Sequence, residues 1–218
     1  VYKRQVLIRG SDYRRASKPI IGEGWIEVVH ERGRYYLITA KGSVIARLEW
    51  LTGPEQQPFL DYLRSSIGQT EFSKIKVEAI GIGSVSEEAL RTYGDLINEG
   101  KLSTVKIGKF GEEIVKDALF ALGYRKIEDR TYVRGVKSID FIIHDVDVVV
   151  EVETRVEGSS GATLSLLNSY IKARNQLDEF IKAYPEYRGF KRLMALIELQ
   201  RNDQGLFDGK YILYLIKR

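Results

Sequence analysis

Three acidic side chains in the second half of the chain have the spacing of a divalent-cation site. If Asp145–Val146 forms the tight turn of a hairpin, Asp140 lies directly opposite Glu151, with Cβ atoms about 4.5–5.5 Å apart. Because side chains alternate along a strand, Glu153 projects from the same face as Glu151. The pattern therefore predicts one patch that holds three carboxylates.

The residues around these acids predict that the patch is buried. Val148–Val150 and Val152 form a β-branched run, which is typical of a strand covered on both faces. Unpaired negative charges are costly in such a place, and hard oxygen ligands select Mg²⁺ or Mn²⁺ over softer metals. In the alternative interpretation, the hairpin lies at the edge of the sheet, and its acids face solvent or pair with Lys137 and Arg155.

The composition excludes most other catalytic chemistries. The chain has no cysteine and only two histidines, His30 and His144, so disulfide scaffolds, zinc fingers, iron–sulfur clusters and cysteine nucleophiles are excluded. Carboxylates must therefore do most of the work in any reaction. The absence of cysteine, the single Met194 and the abundance of Lys, Glu and Arg are what we expect of a cytoplasmic protein from a heat-adapted organism.

Length and charge are compatible with one large domain or two small ones. The 218 residues carry a formal net charge of +4, a mild basic bias that is compatible with nucleic acid. The sequence has no apolar run near the ~18–20 residues that a membrane span needs, and its first segment is too charged for a signal peptide. We therefore expect a cytoplasmic protein without a membrane partner.

The order of predicted elements differs between the two halves of the chain. The first half is rich in strands, whereas the second follows the order helix, strands, helix, strands that is typical of an α/β sandwich around a mixed sheet. We predict an α/β (α+β) protein with a smaller β-rich domain over residues 1–103 and a second domain over residues 104–218. The predicted strands are 6–9, 25–30, 35–39, 43–50, 75–82, 138–144, 147–153, 193–199 and 211–216, and the predicted helices are 55–67, 86–97, 109–122 and 163–184.

A fourth acid is predicted to join the patch from the helix that precedes the hairpin. The segment Gly108–Glu113 begins that helix, which places Glu112 in its first turn. Gly123 supplies the C-terminal stop of the same helix. From the first turn, the Glu112 carboxylate can reach the patch.

Taken in order, these motifs resemble the PD-(D/E)XK nuclease superfamily, which has the restriction-endonuclease-like fold. Within it, the spacing is most similar to the archaeal Holliday-junction resolvases and related small nucleases. The similar region runs from residue 107 to residue 184, about a third of the chain, and implies an α/β/α nuclease domain with a mixed sheet. The residues that carry the resemblance are Gly108-x-x-x-Glu112, Gly123–Tyr124, Ile139–Asp140 and Val150–Arg155.

The resemblance implies a role for each acid. Asp140 and Glu151 hold Mg²⁺ or Mn²⁺ with the backbone carbonyl of Val152, and Glu112 binds a second ion or a metal-bound water. The chain departs from the family at Glu153, where the family usually has lysine. Glu153 is then a general base or a further ligand, or a cation from elsewhere replaces the lysine. The candidates for that cation are Lys137, Arg155, Lys172 and Arg174.

Two polar segments are predicted to contact nucleic acid. Lys172 and Gln176 belong to a polar face of the long helix, and Arg14 and Arg15 belong to a basic cluster interleaved with tyrosines. Basic residues with aromatics suit backbone contact and base stacking. The alternatives are a solvated helix face and a loosely ordered basic arm. The predicted nucleic-acid-binding residues are Lys137, Arg155, Lys172, Arg174, Gln176, Arg14 and Arg15.

Together these interpretations predict a Mg²⁺- or Mn²⁺-dependent endonuclease that hydrolyses phosphodiester bonds in DNA, with RNA as the less favoured substrate. The alternative is a non-catalytic nucleic-acid-binding or assembly module that keeps the nuclease fold. The N-terminal domain is predicted to bind DNA or to dimerise. Symmetric cutting of two strands favours a homodimer with twofold symmetry.

Overall fold

The computed structural model describes most of the second half of the chain and part of the first. Before Leu48 it describes only the main chain, and from Leu48 onwards it also describes side chains. Lys137, Arg14 and Arg15, which the sequence predicts to bind nucleic acid, lie outside these ranges. The described residues are 5–8, 26–31, 34–39, 44–51, 53–129, 138–158 and 166–218.

Ten strands of the described chain form one sheet. They are β1 (Gln5–Ile8), β2 (Ile26–Glu31), β3 (Arg34–Thr39), β4 (Val44–Leu51), β5 (Lys76–Val85), β6 (Ile127–Asp129), β7 (Phe141–Ile143), β8 (Val148–Val156), β9 (Lys191–Arg201) and β10 (Phe207–Lys217). Their order across the sheet is β1-β2-β3-β4-β5-β10-β9-β8-β7-β6. The β8–β9 pair is parallel, and the other neighbouring pairs are antiparallel. The sheet is therefore mixed.

Five α-helices accompany the sheet in the described part of the chain. They are α1 (Gln57–Ile67), α2 (Gln69–Phe72), α3 (Glu87–Asn98), α4 (Thr104–Ala121) and α5 (Leu166–Ala183). The predicted mixed α/β class is thereby confirmed. Among the residues that the structure describes, no helix is both long enough and apolar enough to cross a membrane.

Two hydrophobic clusters cover the two faces of the sheet. On one face, Leu119 of α4 packs in the same cluster as Val150 of β8 and residues of β10, and α3 adds to its edge. On the other face, Tyr170 and Leu177 of α5 share a cluster with Val149 of β8, to which α1 also contributes. Because alternate valines of β8 enter opposite clusters, this strand is buried on both faces, as its β-branched run predicts.

The helix that carries Glu112 begins earlier than the sequence predicts. It starts at Thr104, where the Ser103 side chain caps it by accepting a hydrogen bond from the Lys106 N–H. Lys109, the predicted start, and Gly108 before it are interior residues of α4. The placement of Glu112 in the first turn is therefore wrong, because a serine cap outweighs the helix-weakening effect of one glycine.

The predicted boundary at residue 103 falls inside a continuous sheet. β5, from before the boundary, pairs along its length with β10, the last strand of the chain. The first hydrophobic cluster likewise contains Leu48 and Ile97 from before the boundary and Leu119 from after it. The two halves therefore share a core in the described residues, and their division into two functional domains stays a prediction.

Candidate active site

The β7–β8 hairpin has the predicted register and holds Asp140 opposite Glu151. Phe141 pairs with Val150, and the Asp140 N–H donates to the Val150 carbonyl at 3.2 Å. Asp140 Oδ2 also accepts a hydrogen bond from the Val152 N–H at 2.7 Å. The backbone of β8 therefore holds the Asp140 carboxylate just before the first residue of β7.

The turn of this hairpin is anchored by another carboxylate. Asp145 Oδ2 accepts hydrogen bonds from the N–H groups of Arg125 and Lys126, at 2.6 and 2.7 Å. Asp147 has a φ of 50°, a left-handed conformation that Asp adopts more readily than most residues. The turn therefore fixes the register that brings Asp140 and Glu151 together.

Two side chains of α5 contact the two glutamates of β8. Gln176 Nε2 donates to Glu151 Oε1 at 2.6 Å, and Lys172 Nζ lies 2.7 Å from Glu153 Oε1. Four residues of helix rise about 6 Å, which matches the roughly 6.6 Å between alternate residues of a strand. The helix can therefore place one partner over each glutamate.

Glu112 approaches the same acids from α4, on the opposite face of the sheet. Its neighbour Gly111 lies so close to β8 that a Cβ built there would be 1.7 Å from Thr154 Oγ1. Burial is the largest cause of the raised pKa of Asp140, and the negative charge of Glu112 is the second largest. The charge of Glu112 also raises the pKa of Glu151. The close contact between α4 and β8 thus brings the Glu112 carboxylate near enough to interact electrostatically with the other acids.

Burial shifts the titration of all four acids in the same direction. It raises the pKa of Asp140 to about 7, and the charges of Glu112 and Glu153 act in the same direction. Burial also raises the pKa of Glu151, Glu153 and Glu112, whereas the Lys172 ammonium lowers the pKa of Glu153. In the absence of a cation, these carboxylates therefore hold protons more strongly than exposed ones.

Buried oxygen atoms without a partner lie at these acids, and they fit a hard divalent cation. Glu151 Oε2 and Gln176 Oε1 have no hydrogen-bond partner, which is rare for buried polar atoms. Within the described ranges, no three His, Asp or Glu side chains are grouped so that they could hold a metal ion as they stand. The acids instead use other oxygen atoms to bind Val152, Gln176 and Lys172. The free Glu151 oxygen and the mutual repulsion of the acids are what Mg²⁺ or Mn²⁺ would satisfy.

The other predicted cations are bound to different acids. Arg155 forms a salt bridge with Glu198 of β9, and Arg174 Nη1 lies 3.3 Å from Glu71 of α2. Of the predicted cations that the structure describes, Lys172 is the one that it brings to the four carboxylates.

The side chain of Val152 belongs to the cluster on the α4 face, so only its backbone faces Asp140.

The sequence analysis missed an ion pair next to Glu112. Lys116 of α4 forms a largely buried salt bridge with Asp129 of β6. Burial is the main cause that raises the pKa of Glu112, the charge of Asp129 raises it further, and Lys109 and Lys116 lower it. Glu112 and Lys116 are four residues apart on a helix, and this spacing could have predicted that their side chains are neighbours. The contact of Lys116 with Asp129 depends instead on how β6 packs.

No protein-family model, curated protein or solved structure matches this chain. The chemistry of the site is therefore argued from its geometry, in which four acids interact with one lysine and one glutamine. Such a set can hold a proton and orient a water molecule.

Proposed function

We propose that the protein is a Mg²⁺- or Mn²⁺-dependent nuclease that hydrolyses phosphodiester bonds in DNA. The observation that carries the proposal is the buried group of carboxylates around Glu151, whose Oε2 has no partner. Buried, mutually repelling charges are costly unless a cation or protons compensate them. A site that keeps such charges is typical of metal-dependent hydrolysis.

The order of elements supports a restriction-endonuclease-like domain over residues 104–218. In this stretch α4 is followed by β6, β7 and β8, and α5 then connects β8 to the parallel strand β9. The acids lie on α4, just before β7 and on β8, in the order that the PD-(D/E)XK resemblance implies. In this proposal the strands before residue 103 bind DNA or a second copy of the chain.

In the proposed mechanism, each acid has a separate task. Asp140, Glu151 and the Val152 carbonyl would hold the cation, which when bound would polarise the scissile phosphate and lower the pKa of a water molecule. Gln176 fixes the Glu151 carboxylate through Oε1 and leaves Oε2 for the ion. Glu112 extends the site towards a second ion or a bound water.

Lys172 supplies positive charge beside Glu153, whereas Arg155 of β8 is paired with Glu198. Glu153 stands where the nucleases that the sequence resembles usually have lysine, and Lys172 Nζ lies 2.7 and 2.9 Å from its two carboxylate oxygens. The Lys172 side chain is 59% exposed, so its ammonium can also face a phosphate. Glu153 then holds Lys172 in place and accepts the proton of the attacking water.

The test is cleavage by variants that remove one carboxylate charge. Asp140→Asn and Glu151→Gln are each expected to lower Mg²⁺-dependent cleavage at least ~100-fold and to weaken Mn²⁺ binding in calorimetry. Circular dichroism should show an unchanged fold. The matched control is Asp203→Asn, which removes an exposed charge from the β9–β10 loop. Undiminished cleavage by either site variant contradicts the proposal.

One observation favours the second candidate, a nucleic-acid-binding module without catalysis. Glu153 places a carboxylate where the related enzymes carry a positive charge. If this change abolished catalysis, the protein would shift DNA equally well in a gel with Mg²⁺ and with EDTA, and would cut no substrate. A panel of branched, single-stranded and duplex DNA, together with RNA, separates the two candidates and identifies the substrate.

A further inference from the structure

A groove of about 500 Å³ lies on the same sheet face as Glu151 and Glu153. The inference drawn from it rests on the proposed nuclease function. Phe59 and Tyr62 of α1 line the groove, and so does Leu166 at the start of α5. Its floor consists of side chains from neighbouring strands of the sheet.

The strand register places part of this groove two strands away from Glu153, on the same face of the sheet. Glu153 of β8 lies opposite Leu196 of β9, which lies opposite Tyr214 of β10 in the groove. The next row on this face begins with Arg155, about 6.6 Å along β8 from Glu153. Arg155 is thus about 6.6 Å from Glu153 and about 13 Å from Glu151 along β8, which places the groove within one or two nucleotides of a substrate strand at the acids.

Aromatic rings line the groove. Phe59 and Tyr214 stack with their ring centroids 4.4 Å apart, which holds α1 against the sheet. Tyr62, one turn after Phe59, is 42% exposed, and Ile82 on the floor is 47% exposed. Exposed apolar and aromatic surface in a concave site favours a flat ring as ligand.

The polar part of the floor is an ion pair whose charges balance. The Arg155 guanidinium donates to the Glu198 carboxylate, and Glu55 adds a further acid to the lining. A phosphate would meet these two acids and a single guanidinium that is already paired. A neutral ring with donors and acceptors on its edge complements the same floor.

We propose that this groove binds an unpaired nucleobase within one or two nucleotides of the phosphodiester at the acids. A base inside a duplex cannot enter it without leaving its stack. The groove thereby makes the protein favour single-stranded or displaced nucleotides over intact duplex. The occupant is the base itself, recognised by stacking on Tyr62 and by hydrogen bonds to Arg155 and Glu198.

The experiment measures base-dependent binding separately from cleavage. The full chain, with Asp140→Asn and in EDTA so that the probe stays intact, is titrated into three fluorescein-labelled probes of equal length. These probes are a six-nucleotide single strand, the same strand with every base replaced by an abasic site, and a duplex. The bases should strengthen single-strand binding about tenfold or more over the abasic strand.

Variants of the groove identify where this preference arises. Tyr62→Ala should bring the ratio of base-containing to abasic affinity close to one, whereas Tyr62→Phe, which retains the ring, should preserve it. Ile82→Ser tests the same groove from the sheet side and should lower the ratio several-fold. The matched control is Leu206→Ala, which alters an exposed apolar side chain between β9 and β10.

Three outcomes would overturn the base-binding proposal. The first is equal affinity for base-containing and abasic strands. The second is a ratio of base-containing to abasic affinity that Tyr62→Ala leaves unchanged. The third is that Tyr62→Ala alters self-association of the protein but leaves DNA binding intact. The last of these assigns the groove to a second copy of the chain. If the base preference depends on Tyr62 but no nucleic acid is cut with Mg²⁺ or Mn²⁺, the groove proposal stands and the proposed hydrolysis fails.

Discussion

Asp117 of α4 is a buried acid that the proposed chemistry does not use. Both of its carboxylate oxygens are buried without a hydrogen-bond partner, as are the Tyr211 hydroxyl and the Trp50 indole nitrogen. Burial raises the pKa of Asp117 well above its usual value, and the charge of Glu113 raises it further. We therefore expect Asp117 to remain protonated in the folded protein at pH values where an exposed aspartate is ionised.

Asp117→Asn should stabilise the protein at neutral pH. The unfolded chain releases the Asp117 proton above about pH 3.9 while the folded chain keeps it, so wild-type stability falls as the pH rises from about 4 towards the folded-state pKa. An amide of similar shape removes this loss. Urea unfolding at pH 7 should show a gain of about 1–3 kcal/mol for the variant.

The pH dependence of the stability gain in Asp117→Asn distinguishes loss of the proton linkage from a stabilisation that is independent of pH. The gain should shrink towards zero near pH 4, where both states hold the proton. The control is Asp95→Asn, at an exposed position on α3, which should change stability little at either pH. A gain that is equal at pH 4 and pH 7 would contradict this account of Asp117.

Lys172→Met should impair catalysis through both charge and proton transfer. The variant removes the ammonium from beside the phosphate and is expected to lower kcat about 10- to 100-fold. Because Lys172 lowers the pKa of Glu153, its loss should raise that pKa and move the acidic limb of the pH–rate profile to higher pH. The control is Lys182→Met, at an exposed lysine near the end of the same helix. An unshifted profile would mean that Glu153 is not the base.

At the scale of elements, the contact between α4 and β8 sets the position of Glu112. Gly111→Ala should destabilise the protein by about 1–3 kcal/mol, because the new Cβ would lie 1.7 Å from Thr154 Oγ1. The helix must then move away from the strand and take Glu112 from the acids. Urea unfolding and Mg²⁺-dependent cleavage should both show the loss.

A second glycine of α4 serves as the control for this prediction. A Cβ added at Gly108 would have no neighbouring atom within 4 Å, so Gly108→Ala should stabilise the helix by about 0.5–1 kcal/mol. Thr154→Ala removes the hydroxyl and methyl groups that a Cβ at Gly111 would strike, and it should partly rescue Gly111→Ala. Equal effects of the two glycine substitutions would show that helix propensity, and not the contact with β8, determines the result.

At the scale of the whole molecule, the continuous sheet couples the two halves of the chain. β10, the last strand, lies between β5 and β9, so neither half can complete its core without the other. We expect calorimetry to give one unfolding transition with a van't Hoff to calorimetric enthalpy ratio near one. Two separate transitions would instead support independent domains on either side of residue 103.

The sequence alone determined the features that depend on near neighbours along the chain. The alternation of β8 and its turn residues predicted the register that places Asp140 opposite Glu151. The amphipathic pattern predicted α5, and the absence of cysteine excluded whole classes of chemistry. These predictions succeeded because strand period, helix period and composition are local properties. The start of α4 was wrong because a local glycine signal competed with a stronger cap at Ser103.

Only the tertiary structure decided which distant side chains meet. The choice of Lys172 among the candidate cations, the approach of Glu112 from the opposite face of the sheet and the groove beside Arg155 each depend on how separate elements pack. Packing of helices on the two faces of one sheet determines these contacts, and no sequence period encodes it. The residue types therefore predicted the group of acids, whereas folding selected the lysine and the groove that lie near it.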